Sequence, residues 1–140
     1  MAKPGLTELR RREPESEKIT INLGYVDLGR VDLLVDEGFY SNRTDFIRTA
    51  IRNQLGAHGD VLQQFVARRS MVLGLVRYTR KDLESVRAAG EQLQIQVLGL
   101  ATIDDDVPPQ LAAQTIASIT VLGTLRASAK VKAALADRIR

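Results

Sequence analysis

At 140 residues, 44% of them hydrophobic, the chain carries the apolar material of one or two small globular domains. Its net charge of +3 is spread evenly, +1 over residues 1–70 and +2 over residues 71–140, so bulk charge alone does not mark a nucleic-acid binder. Zero cysteines exclude disulfides and thiolate metal sites, no apolar run is long enough to span a bilayer, and one histidine with no Gly-rich phosphate loop leaves little material for catalysis.

Residues 1–17 combine Pro4, Gly5 and Pro14 with the run Arg10, Arg11 and Arg12, and show no periodic apolar face, which predicts a mobile basic arm. Such an arm either reaches flanking phosphates or stays solvated, its arginines offset by Glu13, Glu15 and Glu17. Residues 18–23 then alternate strictly: Ile19, Ile21 and Leu23 are apolar, while Lys18, Thr20 and Asn22 are polar, the period-2 pattern of a half-buried strand. Leu28, Val31, Leu34 and Val35 recur at helical spacing after Asp27, which is expected to cap the helix, and Gly38 is expected just past its end in a left-handed conformation. Asn42, with Asp45 three residues on, predicts the start of a second helix. Its inner stripe is Phe46, Ile47, Ala50, Ile51, Gln54 and Leu55, and Gly56 is expected to stop it.

One strand has no ladder partner of its own, and two small helices cannot enclose a core. The simplest partner is a second copy of the chain. A two-fold axis would set residues 18–23 antiparallel to themselves, bury Ile19, Ile21 and Leu23 against four helices, and leave Lys18, Thr20 and Asn22 on one exposed ribbon.

The alternating strand, Val31 and Asp32 with Leu34, then Gly38 and the run from Asn42 to Ile51, resembles the ribbon-helix-helix DNA-binding proteins of the Arc, MetJ and CopG type. The resemblance covers roughly residues 18–55 and implies a homodimer on double-stranded DNA. It implies that the two-stranded ribbon enters the major groove, with Lys18, Thr20 and Asn22 contacting bases. Lysine donates to guanine, asparagine pairs with adenine, and the threonine methyl meets the thymine methyl. It further implies that the start of the second helix, at Asn42, Arg43 and Thr44, holds a backbone phosphate. Nickel-responsive relatives carry a C-terminal regulatory domain, but their metal-ligating histidines and cysteine have no counterpart here, so no metal or other cofactor is expected.

Past Gly56, Ala57, His58 and Gly59 read as a short joint with a solvated histidine, and Asp60 as the cap of a third helix to about Arg69, with Val61, Leu62, Phe65 and Val66 on its apolar side. The C-terminal half repeats. Ile95, Val97, Leu98, Gly99, Val107 and Leu111 match Ile119, Val121, Leu122, Gly123, Val131 and Leu135 at a constant offset of 24 residues, and a third, weaker copy begins at Val72, Leu73 and Gly74. Each unit predicts a short strand ending at its glycine, a turn and a helical return, with the strands stacked in parallel. Asp104, Asp105 and Asp106, followed by Pro108 and Pro109, read as an acidic surface turn.

The expected class is α+β: an arm over residues 1–17, a ribbon-helix-helix domain over 18–56, a linker and connecting helix over 57–70, and a small solenoid-like strand-helix repeat domain over 71–140 serving assembly or regulation. The expected function is a cytoplasmic, non-enzymatic, sequence-specific transcriptional regulator, a repressor, working as a homodimer or higher homo-oligomer without a membrane. Two alternatives stand beside it: an antitoxin whose C-terminal half holds a protein partner, and a self-assembling structural protein associated with DNA.

Overall fold

The computed structural model describes residues 16–140, so the arm expected over residues 1–17 lies outside the described residues except for Ser16 and Glu17. The chain divides into two compact units, the first ending at Gly59 and the second running from Asp60 to Arg140. Among the described residues no helix is long and apolar enough to cross a membrane.

In the first unit, residues 17–24 take no regular secondary structure within the single chain. Helix α1 follows, Tyr25–Asp36, and it begins earlier than Asp27 predicts. Gly24 occupies the N-cap position in an extended conformation, its carbonyl accepting from the Leu28 amide at 3.0 Å. Asp27 therefore lies in the first turn, where its charge suits the helix dipole, and it stands 3.7 Å from Arg30. The far end closes as expected. Gly38, at φ +86°, donates to the Val35 carbonyl while Phe39 donates to that of Leu34, a Schellman arrangement that satisfies two orphan carbonyls.

Helix α2 spans Arg43–Ala57. Asn42 Oδ1 accepts from the Asp45 amide at 2.8 Å, and the Asp45 carboxylate accepts from the Ser41 amide at 2.9 Å, so the cap is reciprocal but reaches one residue further back than a capping box does. Gly56 does not stop the helix; an isolated glycine costs only about 1 kcal/mol there, and the turn holds until His58, whose amide donates to Leu55. Helix α3, Gly59–Arg68, starts at once, so the expected joint shrinks to His58 and Asp60 falls in a first turn rather than at a cap. His58 is exposed, as expected, with its Nε2 3.2 Å from Gln54 Nε2.

The second unit holds β1 Val72–Tyr78, α4 Arg80–Ala88, β2 Leu93–Ile103, α5 Pro109–Thr115, β3 Ile116–Arg126 and α6 Ala129–Ala134. The three strands form one parallel sheet in the order β1-β2-β3. The repeat sets their register: Val72, Val97 and Val121 lie side by side, as do Leu73, Leu98 and Leu122, and Gly74, Gly99 and Gly123. Contrary to the expected strand ends, the glycines sit within the strands and the ladder runs on past them. All three have positive φ, between +119° and +140°, and a Cβ on Gly99 or Gly123 would collide with the carbonyl oxygen of the glycine on the neighbouring strand. The glycine row is thus a crease across the sheet that only glycine can form.

One face of the sheet carries the core. Ile95, Val97, Ala101 and Ile103 of β2 and Ile119 of β3 pack with Leu83 of α4, Leu111 and Ala112 of α5, and Val131 of α6. Thr79 and Asp82 make a full capping box at α4, and Ser128 caps α6 through the Val131 amide. Buried Thr115 donates to the Leu111 carbonyl at 2.7 Å, which satisfies its hydroxyl. The chain end follows the outer edge of β3: Ile139 pairs with Ile119, and the Arg138 guanidinium donates to the Ala113 and Ile116 carbonyls. Asp104 is not merely part of a surface turn, since its two oxygens accept from Arg77 at 2.7 and 2.8 Å.

Candidate nucleic-acid interface

Residues 18–23 show what the first unit lacks. Ile19, Ile21 and Leu23 are 72%, 54% and 43% exposed, and Ile51 and Leu55 of the α2 stripe are exposed with them. Val31 is the one buried hydrophobic residue of this unit among the described residues. Apolar side chains placed at core spacing but left in water are a core waiting for its other half. Lys18, Thr20 and Asn22 are likewise exposed, and among the described residues no hydrogen bond or ion pair engages their side chains.

The start of α2 is built in detail. The first four amides of a helix lack intrahelical partners. Here Asn42 Oδ1 takes the Asp45 amide, and those of Asn42, Arg43 and Thr44 remain. Asn42 and Thr44, though not Arg43, line a cleft of about 320 Å³ together with Ser41, Asp45, Arg48 and Arg52. Thr44, Arg48 and Arg52 are each four apart, so they form one stripe down α2 from its positive end. The structure thus brings Asn42 and Thr44 into one site, while Lys18, Thr20 and Asn22 do not line it.

The third residue predicted for phosphate, Arg43, is differently engaged. Its Nε and Nη2 donate to Asp32 Oδ1 and Oδ2 at 2.7 and 2.8 Å, a fork-to-fork pair joining α2 to α1. The hydrogen bonds from Arg43 hold the Asp32 carboxyl below the usual aspartate range, and the same bonds push the guanidinium up. Tyr40 meets Phe46 edge to face at 5.0 Å beside this turn. Arg43 does not line the cleft, and its charge is spent on Asp32. The cations lining the cleft are Arg48 and Arg52, which sequence reasoning missed. Their signal was the four-residue spacing from Thr44.

Chemically the cleft offers an anion the amides of Asn42 and Thr44 at a helix N-terminus, a threonine hydroxyl and two guanidinium groups, beside the Asp45 carboxylate, which also lines it and accepts from the Ser41 amide. A family model described as the ribbon-helix-helix transcriptional regulator family matches residues 14–132. No curated protein and no solved structure matches the chain.

Proposed function

The chain belongs to the ribbon-helix-helix transcriptional regulator family, and from that premise we propose that it is a cytoplasmic, sequence-specific repressor of the CopG kind that reads the major groove with an intersubunit antiparallel ribbon. Residues 18–23 of two copies form the ribbon, with Ile19, Ile21 and Leu23 turned into the shared core. Lys18, Thr20 and Asn22 face the bases. The amides of Asn42, Arg43 and Thr44 hold a phosphate on each side, with the charge supplied by Arg48 and Arg52.

The observation that carries this reading is the exposed apolar alternation of Ile19, Ile21 and Leu23 in a unit with one buried hydrophobic residue, Val31, among the described residues. The C-terminal unit, with three strand-helix repeats in glycine-to-glycine register and its own core, serves assembly in solenoid-like fashion. That independent core favours assembly over neutralisation of a toxin by a segment that folds only on contact.

The test is binding to the DNA upstream of the chain's own gene beside a scrambled duplex, at low and physiological salt. Specific binding that survives salt is expected, and alanine at Lys18, Thr20 and Asn22 lowers affinity for the specific site towards that for scrambled DNA, each lost base contact being worth about 1–3 kcal/mol. Unchanged specific affinity in that triple variant removes the base-reading assignment.

A further inference from the structure

Parallel sheets are found with both faces covered, and among the described residues of the C-terminal unit only one face of this sheet is closed. The helices α4, α5 and α6 bury the side of β2 that carries Ile95, Val97, Ala101 and Ile103. The opposite side presents Leu73 and Leu75 of β1, Leu98 and Leu100 of β2, and Leu122 of β3. Leu73 and Leu75 are 71% and 60% exposed. Helix α3 leans over one corner, where Leu62 and Val66 line a cleft with Leu73 and Leu98, and leaves the rest open.

The layout of this face is self-complementary. Leu73, Leu98 and Leu122 form one row, Leu75, Leu100 and Thr124 the next, and the glycine crease runs between them. A two-fold axis along the crease sets the first row of one copy on the second row of the other, with strands running opposite ways. Charge agrees with that orientation. At the end where the strands begin, Arg69 and Arg140 line a cleft of about 460 Å³ with Met71, Gln96, Thr120 and Leu122, and no acid lines it. At the end where they finish, Arg77 is paired with Asp104, and exposed Asp105 and Asp106 follow in the turn after β2. The same axis lays the basic cleft of each copy over the exposed Asp105 and Asp106 turn of the other, twice.

We propose that the leucine face of the C-terminal unit is an isologous interface with a second copy of this chain, packed face to face and antiparallel about the glycine row. The proposal rests on assigning assembly to this unit. A chain already dimeric through its N-terminal unit supplies the partner face at high effective concentration.

The chain has no cysteine, so Leu100→Cys in the full-length protein introduces one thiol per protomer beside the axis. Facing sheets lie about 10 Å apart, too far for a disulfide and within reach of a short bis-maleimide. Rapid cross-linking of Leu100→Cys is expected, with Gln110→Cys on the helix-covered side remaining uncross-linked. Leu75→Cys serves as the second variant should the first lose its circular-dichroism spectrum. Adding Arg69→Glu with Arg140→Glu sets acid over acid and slows cross-linking about fivefold, because like charges then oppose the face-to-face arrangement. Absent cross-linking in a protein that still sediments as a dimer and binds its promoter overturns the interface and leaves the DNA reading standing. A thiol shielded from mono-alkylation yet never cross-linked overturns it too, by showing a different cover. Unchanged cross-linking in the charge-reversed variant overturns the antiparallel arrangement.

Discussion

Arg43, Arg48 and Arg52 lie on one helix, and their chemical identity gives no reason to expect different behaviour towards DNA. The structure separates them. The Arg43 fork is closed on both Asp32 oxygens, whereas Arg48 and Arg52 line the cleft at the start of α2. Each phosphate contact contributes about 0.9 to the slope of log affinity against log salt. A dimer loses two contacts when Arg48→Ala is made, so its slope should flatten by about 1.8. Over the fourfold rise from 50 to 200 mM salt, the native protein should therefore lose about twelvefold more affinity than the variant. Arg52→Ala should do the same, and Arg43→Ala should leave the slope nearly unchanged while lowering thermal stability through the broken tie between α1 and α2. Fluorescence anisotropy with a labelled specific duplex, titrated at four salt concentrations, reads all three variants. If Arg43→Ala flattens the slope as much as Arg48→Ala, the pairing with Asp32 does not keep that charge from DNA and the reasoning fails. If neither Arg48→Ala nor Arg52→Ala moves the slope, the cleft is not where phosphate sits.

Two further outcomes follow from the same geometry. Gly99→Ala forces a Cβ into the Gly74 carbonyl oxygen at φ +140°; with about 1–3 kcal/mol for the conformation and a similar cost for overpacking, the C-terminal unit should lose roughly 3 kcal/mol or more. Gly90→Ala, at φ +68° with open space around it, should lose only about 1–2 kcal/mol, and equal losses in urea unfolding would show that the crease is not a tight contact. Asp32 titrates below its ordinary range when folded, so its contribution to stability is present above the unfolded value and disappears as pH falls through the folded one. Asp32→Asn should accordingly flatten the acid limb of a melting-temperature profile and leave the rest of its shape unchanged, whereas a native-like acid limb in that variant would assign the limb to other carboxylates.

Local rules carried the sequence reading wherever the controlling partner lies within a few residues. Gly38 as a left-handed helix end and Asn42 as a cap bonded to Asp45 were legible because helix termini are closed by near neighbours. The strand register was legible for another reason: Val-Leu-Gly recurs in all three units, and repeats stack like on like. Two things were hidden. A glycine after a β-prone run signals either a strand end or an in-strand crease, and only the neighbouring carbonyl decides between them. The fate of the Arg43 side chain depends on Asp32, eleven residues away across the turn between α1 and α2. That pairing consumed one expected cation and left Arg48 and Arg52, visible only as a four-residue spacing, to line the cleft.

The pairing also bears on specificity. Over residues 16–59 the first unit carries five cations, Lys18, Arg30, Arg43, Arg48 and Arg52, against six acids, Glu17, Asp27, Asp32, Asp36, Glu37 and Asp45. A surface of that balance has no general attraction for DNA, and Arg30 and Arg43 stand beside acids within the unit. Non-specific affinity comes almost wholly from phosphate charge, so it should be weak here. A regulator must hold its site against a genome of competitors, and what matters is the ratio of specific to non-specific binding. Weak background attraction raises that ratio for any given strength of base contact. Under the proposed docking, the Arg48 and Arg52 stripe would add affinity once the ribbon is in register and little before it. The acids that blur the sequence-level signature of a DNA binder are, in this reading, what lets three base-facing residues per copy suffice.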